Sequence, residues 1–164
     1  MGTFCGSLRM DKEANRKIGL IAGSFDLIHP GYVRMFKESK KYCNYLIVAL
    51  QDDPTVDRPS KCKPIHSINE RREILMSLRD IDDIVVYTDE KSLYDLLKSV
   101  KYDIRILGEE YKDVEYNGKD LGKDVAWITR DHEYSTTSLK EKIYMERKHY
   151  KEFKLSTVAF KSDI

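Results

Sequence analysis

Short apolar runs that alternate with helical segments constrain the fold of this 164-residue chain more than any other feature of its sequence. Five apolar runs have the length of buried strands and lie at residues 18–22, 45–50, 84–87, 104–107 and 125–129. Helical patterns lie between or after them, at residues 30–42, 67–78, 92–100 and 136–150. Strands that alternate with short helices form β-α-β units, so the sequence predicts an α/β fold with a doubly wound, five-stranded parallel sheet flanked by helices.

Local signals mark several ends of these elements. Gly23 ends the first apolar run, and Pro30 opens the first helix, where its missing N–H is not needed. Ser67 and Glu70 have the spacing of a capping box at the start of the second helix. In doubly wound sheets, ligands bind at the carboxyl ends of the strands. We therefore expect the functional residues just after strands.

Length, charge and cysteine content restrict the class of protein. A chain of 164 residues is the size of one ordinary domain. Lys plus Arg number 29 against 28 Asp plus Glu, and this balance disfavours a protein that binds nucleic acid by bulk charge. No run reaches the ~18 apolar residues of a membrane span. The three cysteines are few and widely spaced, which suits neither a disulfide framework nor a zinc site, so we expect a cytoplasmic protein.

The regular pattern begins and ends inside the chain. We expect a poorly ordered leader at residues 1–16, a single domain at residues 17–150 and a C-terminal tail at residues 151–164.

The loop after the first strand carries the most specific pattern. Residues 23–32 read Gly-Ser-Phe-Asp-Leu-Ile-His-Pro-Gly-Tyr, which places His29 at the mouth of a helix. The N-terminus of a helix offers free N–H groups and partial positive charge, and both suit a phosphate. The simpler interpretation is that His29 only caps the helix.

This loop resembles the G-x-F-D-x-x-H-x-G-H loop of the nucleotidyltransferase superfamily, in particular that of glycerol-3-phosphate cytidylyltransferases. Residues 130–137, Arg-Asp-His-Glu-Tyr-Ser-Thr-Thr, are similar to the family's R-T-x-G-[IV]-S-T-[TS] segment. Residues 61–72 resemble its basic loop and following helix, and residues 107–109 stand where the family has a glycine followed by an acidic residue. The four matches occur in the family's order across residues 17–145.

The resemblance implies a Rossmann-like fold and a transferase reaction. The enzyme would transfer CMP from CTP to a small phosphorylated alcohol or sugar, such as glycerol 3-phosphate, and release pyrophosphate. It also implies Mg²⁺ on the triphosphate, without a dedicated protein cage, and a homodimer.

The resemblance further implies roles for individual residues. The expected catalytic residues are His29, Lys61, Lys63 and Arg130. The expected nucleotide-binding residues are Gly23, Ser24, Phe25, Asp26, His29, Tyr32, Gly108, Glu109, Arg130, Tyr134, Ser135 and Thr136. Among them, Asp26 and Glu109 would orient ribose, backbone or a magnesium ion. Arg71 and Arg79 are weaker candidates for binding the acceptor.

One position departs from the family's pattern, because Tyr32 replaces the second histidine of H-x-G-H. Tyrosine donates a hydrogen bond but is neutral near pH 7, so it supplies no imidazolium charge. Two alternatives therefore stay open beside the CTP hypothesis. One is an adenylyltransferase that acts on a sugar phosphate such as heptose 1-phosphate, although Arg130, five residues before Ser135, favours the cytidylyl group. The other is a catalytically impaired nucleotide-binding protein.

Several polar residues have simpler interpretations. Residues 135–138 can form an ordinary helix cap, and the charges at residues 140–154 a solvated helix face. His66, His132 and His149 share no metal-ligand spacing and are interpreted as surface or packing residues. The polar loop at residues 109–123 is a candidate for acceptor selection, but its spacing indicates no particular chemistry.

Overall fold

The computed structural model describes residues 16–159, with side chains described up to residue 153. The strands are Ile18–Gly23 (β1), Tyr45–Gln51 (β2), Asp83–Tyr87 (β3), Ile104–Gly108 (β4) and Asp124–Ile128 (β5). The α-helices in this part of the chain are Pro30–Ser39 (α1), Ile68–Met76 (α2), Glu90–Ser99 (α3) and Thr136–Ala159 (α4). Short 3-10 turns cover Glu109–Tyr111 and Lys119–Leu121. The predicted alternation of strands and helices is confirmed.

The five strands form one parallel sheet in the order β3-β2-β1-β4-β5. The chain builds outward from β1 to β3, then crosses to the other side of β1 to add β4 and β5. This is the Rossmann-like, doubly wound arrangement that the sequence predicts. The change of direction falls between β1 and β4, where folds of this kind open a ligand cleft at the carboxyl ends of the strands.

Helices pack on both faces of the sheet, so the strands carry apolar side chains on both sides. On one face, Phe36 of α1 and Leu75 of α2 pack in a cluster with Ile104 and Ile106 of β4. On the other face, Leu93 and Leu97 of α3 belong to a second cluster. None of the helices within residues 16–159 is long and apolar enough to cross a membrane.

Helix ends follow local chemistry. The predicted capping box is present, since the Glu70 backbone N–H donates to Ser67 Oγ at 3.3 Å and the Ser67 N–H donates to Glu70 Oε2 at 2.8 Å. Helix α1 ends at Ser39, three residues earlier than predicted, in a turn closed by the Lys41 N–H.

Helix α4 continues to Ala159, nine residues past its predicted end. No proline or glycine interrupts residues 139–159, so nothing in the sequence stops the helix there. The expected leader lies outside the described residues except for residue 16, and the division into leader, domain and tail stays a prediction.

Candidate functional site

A cleft of about 890 Å³ opens at the carboxyl ends of the strands. Its walls come from the β1–α1 loop, the loop after β2, the end of β4 with the loop that follows, and the beginning of α4. The volume falls within the range of roughly 300–1,000 Å³ typical of small-molecule sites. The cleft therefore lies where the topology predicts a ligand.

The β1–α1 loop is held in an unusual backbone conformation. Phe25 and Leu27 have φ angles of 43° and 52°, in the left-handed region that non-glycine residues seldom adopt. The Phe25 ring is buried and packs against Tyr32 and Phe36, with ring centroids 5.4 and 5.3 Å apart. Such backbone strain is maintained only where the surroundings fix it, and here the core contacts of Phe25 do so.

His29 is the N-cap residue of α1, yet its side chain makes no capping hydrogen bond. The residue is 7% exposed, and both ring nitrogens lack a hydrogen-bond partner within the described part of the chain. Its ring stacks on Tyr32, with centroids 4.1 Å apart. Burial lowers the pKa of His29, and the neighbouring Arg130 and His132 lower it further. The simple capping interpretation is therefore wrong, and the imidazole lines the cleft with its polar atoms unused.

Tyr32 connects the two motif segments. Thr136 has one hydroxyl proton, which it donates to the Asp26 carbonyl at 2.9 Å. The 3.1 Å contact between Tyr32 Oη and Thr136 Oγ1 must therefore be donated by Tyr32. Consequently the phenol joins α1 to α4, and its proton is not directed at a ligand.

Asp26 ties three segments together. Its carboxylate is 3% exposed and accepts the backbone N–H groups of Ile65 at 2.9 Å and His66 at 3.1 Å. Lys140 of α4 pairs with the same carboxylate at 3.0 Å and donates to the Lys63 carbonyl at 3.1 Å. Burial alone would raise the pKa of Asp26, but these hydrogen bonds and Lys140 hold it below its ordinary value. Of the three roles expected for Asp26, the geometry supports the orientation of backbone.

The two lysines of the loop after β2 lie in different surroundings. Lys61 lines the cleft. Lys63 has a largely exposed side chain, does not line the cleft, and places its ammonium 3.5 Å from the carboxylate of Asp53. The structure therefore presents Lys61 to a ligand more directly than Lys63.

The segment before α4 also contributes residues to the cleft. Arg130 lines the cleft and donates to the carbonyl of Tyr134 at 3.1 Å. The Tyr134 ring is 6.4 Å from that of His29, between centroids. Ser135 lines the cleft and also caps α4, because its hydroxyl accepts the Ser138 N–H at 3.0 Å.

At the end of β4, the structure presents a neighbour of the expected acidic residue. Gly108 and Glu110 line the cleft, whereas Glu109 is an exposed residue of the 3-10 turn outside its lining. The Glu110 carboxylate folds against Gly108, where a Cβ atom would lie 2.1 Å from Oε2.

The two candidate acceptor arginines lie elsewhere than expected. Arg71 is 2% exposed, and its guanidinium donates to the backbone carbonyls of Ser24, Gln51, Asp52 and His66 at 2.6–3.1 Å. It therefore holds α2 against the neighbouring loops and does not face a ligand. Arg79 lies between α2 and β3, at the amino ends of the strands and on the opposite edge of the sheet from the cleft.

The structure brings two further residues to the site that the sequence analysis assigned to surface or packing. His132 lines the cleft so close to Gly31 that a Cβ there would lie 2.5 Å from its Cε1 atom, so a larger residue at position 31 would displace the imidazole. His132 Nδ1 is buried without a partner within residues 16–159. Lys140 stands one helical turn after Thr136, a spacing that places both on one helix face. The one sign in the sequence that could have identified these two residues is that both follow β5, at the carboxyl end of a strand.

Asp26 is one of the two carboxylates expected to orient ribose, backbone or a magnesium ion. Both oxygens of Asp26 accept hydrogen bonds and Lys140 places a positive charge beside them, which disfavours the expected magnesium contact. Within the described residues, no group of three or more His, Cys, Asp or Glu side chains is arranged to hold a metal. Mg²⁺ carried by a triphosphate stays a prediction.

Comparison with known proteins places the chain in a family. Residues 20–159 match the family described as cytidylyltransferase-like. Bifunctional protein HldE of Wolinella succinogenes is 33% identical over 133 residues, which cover 80% of this chain and 28% of that protein. The protein of the same name from Campylobacter jejuni is 32% identical and covers 80% of this chain and 29% of its own length. The chain thus spans less than a third of the length of these relatives.

Solved structures share the architecture. A lipopolysaccharide core biosynthesis protein from Thermoplasma volcanium has a TM-score of 0.57 at 26% identity and covers 74% of this chain and 100% of its own. Pantoate-beta-alanine ligase from Francisella tularensis, 19% identical with a TM-score of 0.52, covers 77% of this chain and 64% of its own and shares the fold. Because the family match includes residues of all five strands and both motif segments, the chain belongs to the cytidylyltransferase-like family of nucleotidyltransferases.

Proposed function

We propose that this protein transfers a nucleoside monophosphate from a nucleoside triphosphate to the phosphate of a small acceptor and releases pyrophosphate. The observation that carries the proposal is the buried, unpartnered imidazole of His29 in a cleft where the β1–α1 loop meets the start of α4. An unsatisfied buried polar group costs roughly 1–3 kcal/mol, and a phosphate oxygen would satisfy it.

The reaction requires alignment and charge stabilisation. An acceptor phosphate oxygen attacks the α-phosphorus in line, a P–O bond forms, and the bond to the β-phosphate breaks as pyrophosphate leaves on the opposite side. No covalent enzyme intermediate is needed, so oriented donors and cations supply the catalysis. Mg²⁺ on the triphosphate would neutralise part of the charge.

The residues of the cleft fit these tasks. His29 donates to the α- or β-phosphate, and Arg130 and Lys61 offset the charge that spreads over the phosphate oxygens. Ser135, at the start of α4, binds the outer phosphates with the backbone N–H groups there. Since the Tyr32 proton is used on Thr136, we assign the second donor role to His132, which lies beside His29.

For the two substrates we propose ATP and a sugar phosphate. The relatives named bifunctional protein HldE favour an adenylyltransferase that acts on a sugar phosphate over the CTP hypothesis. The Thermoplasma protein, named for lipopolysaccharide core biosynthesis, also points to a sugar acceptor. CTP with glycerol 3-phosphate is the second candidate, supported by the position of Arg130 five residues before Ser135. We further propose that the enzyme acts in the cytoplasm as a homodimer.

A pyrophosphate-release assay tests the function. The purified protein is given Mg²⁺ and ATP, CTP, GTP or UTP in turn, each with heptose 1-phosphate, other sugar phosphates or glycerol 3-phosphate. We expect ATP with a sugar phosphate to give the highest kcat/KM, and His29→Ala to lower it by about 100-fold.

The control and the contrary results are defined by the same assay. His149→Ala, at an exposed position of α4, is the matched control and should leave the rate unchanged. Turnover with CTP and glycerol 3-phosphate alone would establish the second candidate. Acceptor-dependent pyrophosphate release with none of the pairs, or a fully active His29→Ala protein, would refute the proposed function.

A further inference from the structure

A buried arginine lies in the cleft outside the motif segments. Arg105 is the second residue of β4 and only 5% exposed. Its neighbours Ile104 and Ile106 pack on the face covered by α1 and α2, so by strand alternation Arg105 projects from the face covered by α3. Arg105 nevertheless lines the cleft. A charged residue at this position of a central strand is unusual and needs a partner.

The guanidinium of Arg105 is poorly satisfied by the protein. Nη1 donates to the Leu20 carbonyl at 3.2 Å, and Nε is buried without a partner among residues 16–159. No ion pair found in this part of the chain includes Arg105. Burial lowers its pKa, although a guanidinium stays charged in proteins. The Glu90 carboxylate favours the charged guanidinium from beyond ion-pair distance, but a buried charge with neither an ion pair nor full hydrogen bonding is unfavourable unless a ligand completes them.

The polar groups near Arg105 include one carboxylate, that of Glu90, besides the hydroxyl of Tyr87. Tyr87 belongs to the same wall, and burial together with the charge of Glu90 raises its pKa to about 12, so its hydroxyl keeps its proton. The nearby carboxylate of Glu90 accepts Asn117 Nδ2 at 2.7 Å. We call the part of the cleft lined by Arg105, Tyr87, Glu90 and Asn117 the Arg105 pocket.

The two substrates of the proposed reaction differ in where they carry charge. In a nucleoside triphosphate the nucleoside is neutral and all the anionic oxygens belong to the triphosphate. We place the triphosphate at His29, Arg130 and Ser135. A separate pocket for an anion therefore suits the other substrate. Resting on the proposed function, we propose that the Arg105 pocket binds an oxyanion of the acceptor. This oxyanion is either the phosphate that attacks the nucleotide or a second acidic group of the same molecule.

Steady-state kinetics with Arg105→Met and Arg105→Lys test the inference. Arg105→Met keeps an unbranched side chain but removes the charge, and we expect kcat/KM for the acceptor to fall about 10- to 100-fold while KM for the nucleotide stays constant. Arg105→Lys should recover part of the loss. Arg72→Met, at an exposed position of α2, is the matched control.

The choice of acceptors identifies the source of the oxyanion. If kcat/KM falls with acceptors that carry a single phosphate and no other acidic group, Arg105 binds the attacking phosphate. A loss confined to acceptors with an additional carboxylate or phosphate assigns it to the second group. An Arg105→Met protein that behaves like Arg72→Met, or one in which only the nucleotide KM rises, would overturn the inference.

A binding measurement separates this inference from the proposed function. The chain has a single tryptophan, Trp127, whose ring lies 6.1 Å from that of Tyr116, another residue of the cleft lining. Inorganic phosphate should change Trp127 fluorescence in the wild type and in Arg130→Met but not in Arg105→Met, each shown to be folded by circular dichroism. If no substrate pair is turned over but this pattern holds, the function is wrong and the anion pocket stands. A phosphate response that survives in Arg105→Met refutes the pocket.

Discussion

Replacing Asp26 by Asn tests whether one buried carboxylate holds the walls of the cleft together. Asparagine keeps one acceptor oxygen, so one of the two backbone N–H groups, of Ile65 or His66, loses its partner. An unpaired buried N–H costs roughly 1–3 kcal/mol. Loss of the ion pair with Lys140 adds about 1 kcal/mol, since the amide oxygen of asparagine can still accept a hydrogen bond from the lysine ammonium. We therefore expect the free energy of unfolding to fall by about 2–4 kcal/mol.

Urea unfolding at pH 7, followed by Trp127 fluorescence, measures this change. Asp26→Asn, Lys140→Met and the double variant form a cycle, and we expect a coupling energy of about 1 kcal/mol because the two side chains touch. Asp95→Asn is the matched control, since its ion pair with Lys91 is exposed and should contribute less than about 0.5 kcal/mol.

The pH dependence of the same difference is a second, independent test. The pKa of Asp26 in the folded protein lies below its ordinary value of 3.8. The ionised carboxylate therefore stabilises the fold above this value, and its contribution is lost as pH falls through the lowered pKa. The difference between wild type and Asp26→Asn should be constant from pH 7 to pH 5 and shrink below the ordinary pKa. A difference under about 0.5 kcal/mol at pH 7, or one that persists in acid, would refute the reasoning.

Further expectations concern the histidines and lysines of the cleft. The pKa of His29 is lowered from 6.5, so as pH falls the histidine is protonated in the unfolded chain before it is protonated in the folded one. The free energy of unfolding should therefore decrease below pH 6.5. Urea unfolding should show a smaller decrease for His29→Asn. Lys61→Ala should raise the nucleotide KM by about 10-fold and Lys63→Ala much less, in the pyrophosphate assay. His132→Asn should lower kcat by about 10-fold or more, and adding Tyr32→His should restore part of it. Equal effects of the two lysine variants, or an unaffected His132→Asn protein, would contradict these assignments.

The sequence was sufficient for the sheet and for the place of the cleft. Strands buried on both faces appear as continuous apolar runs, and their alternation with helices leaves few topologies. The β1–α1 loop could also be predicted from the sequence, because the residues around His29 combine a strand end, an acidic residue and a helix start. The extent of α4 was not predicted, since a polar helix that lacks a breaker resembles a solvated tail in its composition.

Side-chain partners were the part that sequence could not supply. Arg71 belongs to a sequence motif, yet its guanidinium donates to backbone carbonyl groups and is buried. Whether such a side chain contacts a ligand or the backbone depends on how deeply the residue is buried, which the sequence does not show. Arg105 occurs in an apolar run, where it reads as an interruption of a strand. Only the packed sheet shows that its charge is buried and that it forms no ion pair with the residues the structure describes. Long-range contacts of this kind carry no periodic signal.

Tyr32 departs from the family's motif and makes its own contacts in this structure. A phenol reaches farther than an imidazole, and here it reaches Thr136 and stacks on His29. The residue therefore joins α1 to α4 and covers the catalytic candidate, while the segment before α4 brings a second imidazole, that of His132, to the cleft. Because His132 lies against Gly31, its ring occupies space that any larger residue at position 31 would fill. Tyr32, Gly31 and His132 fit together sterically. This argues for a phosphate site that is rearranged relative to the family's motif rather than one that has lost its function.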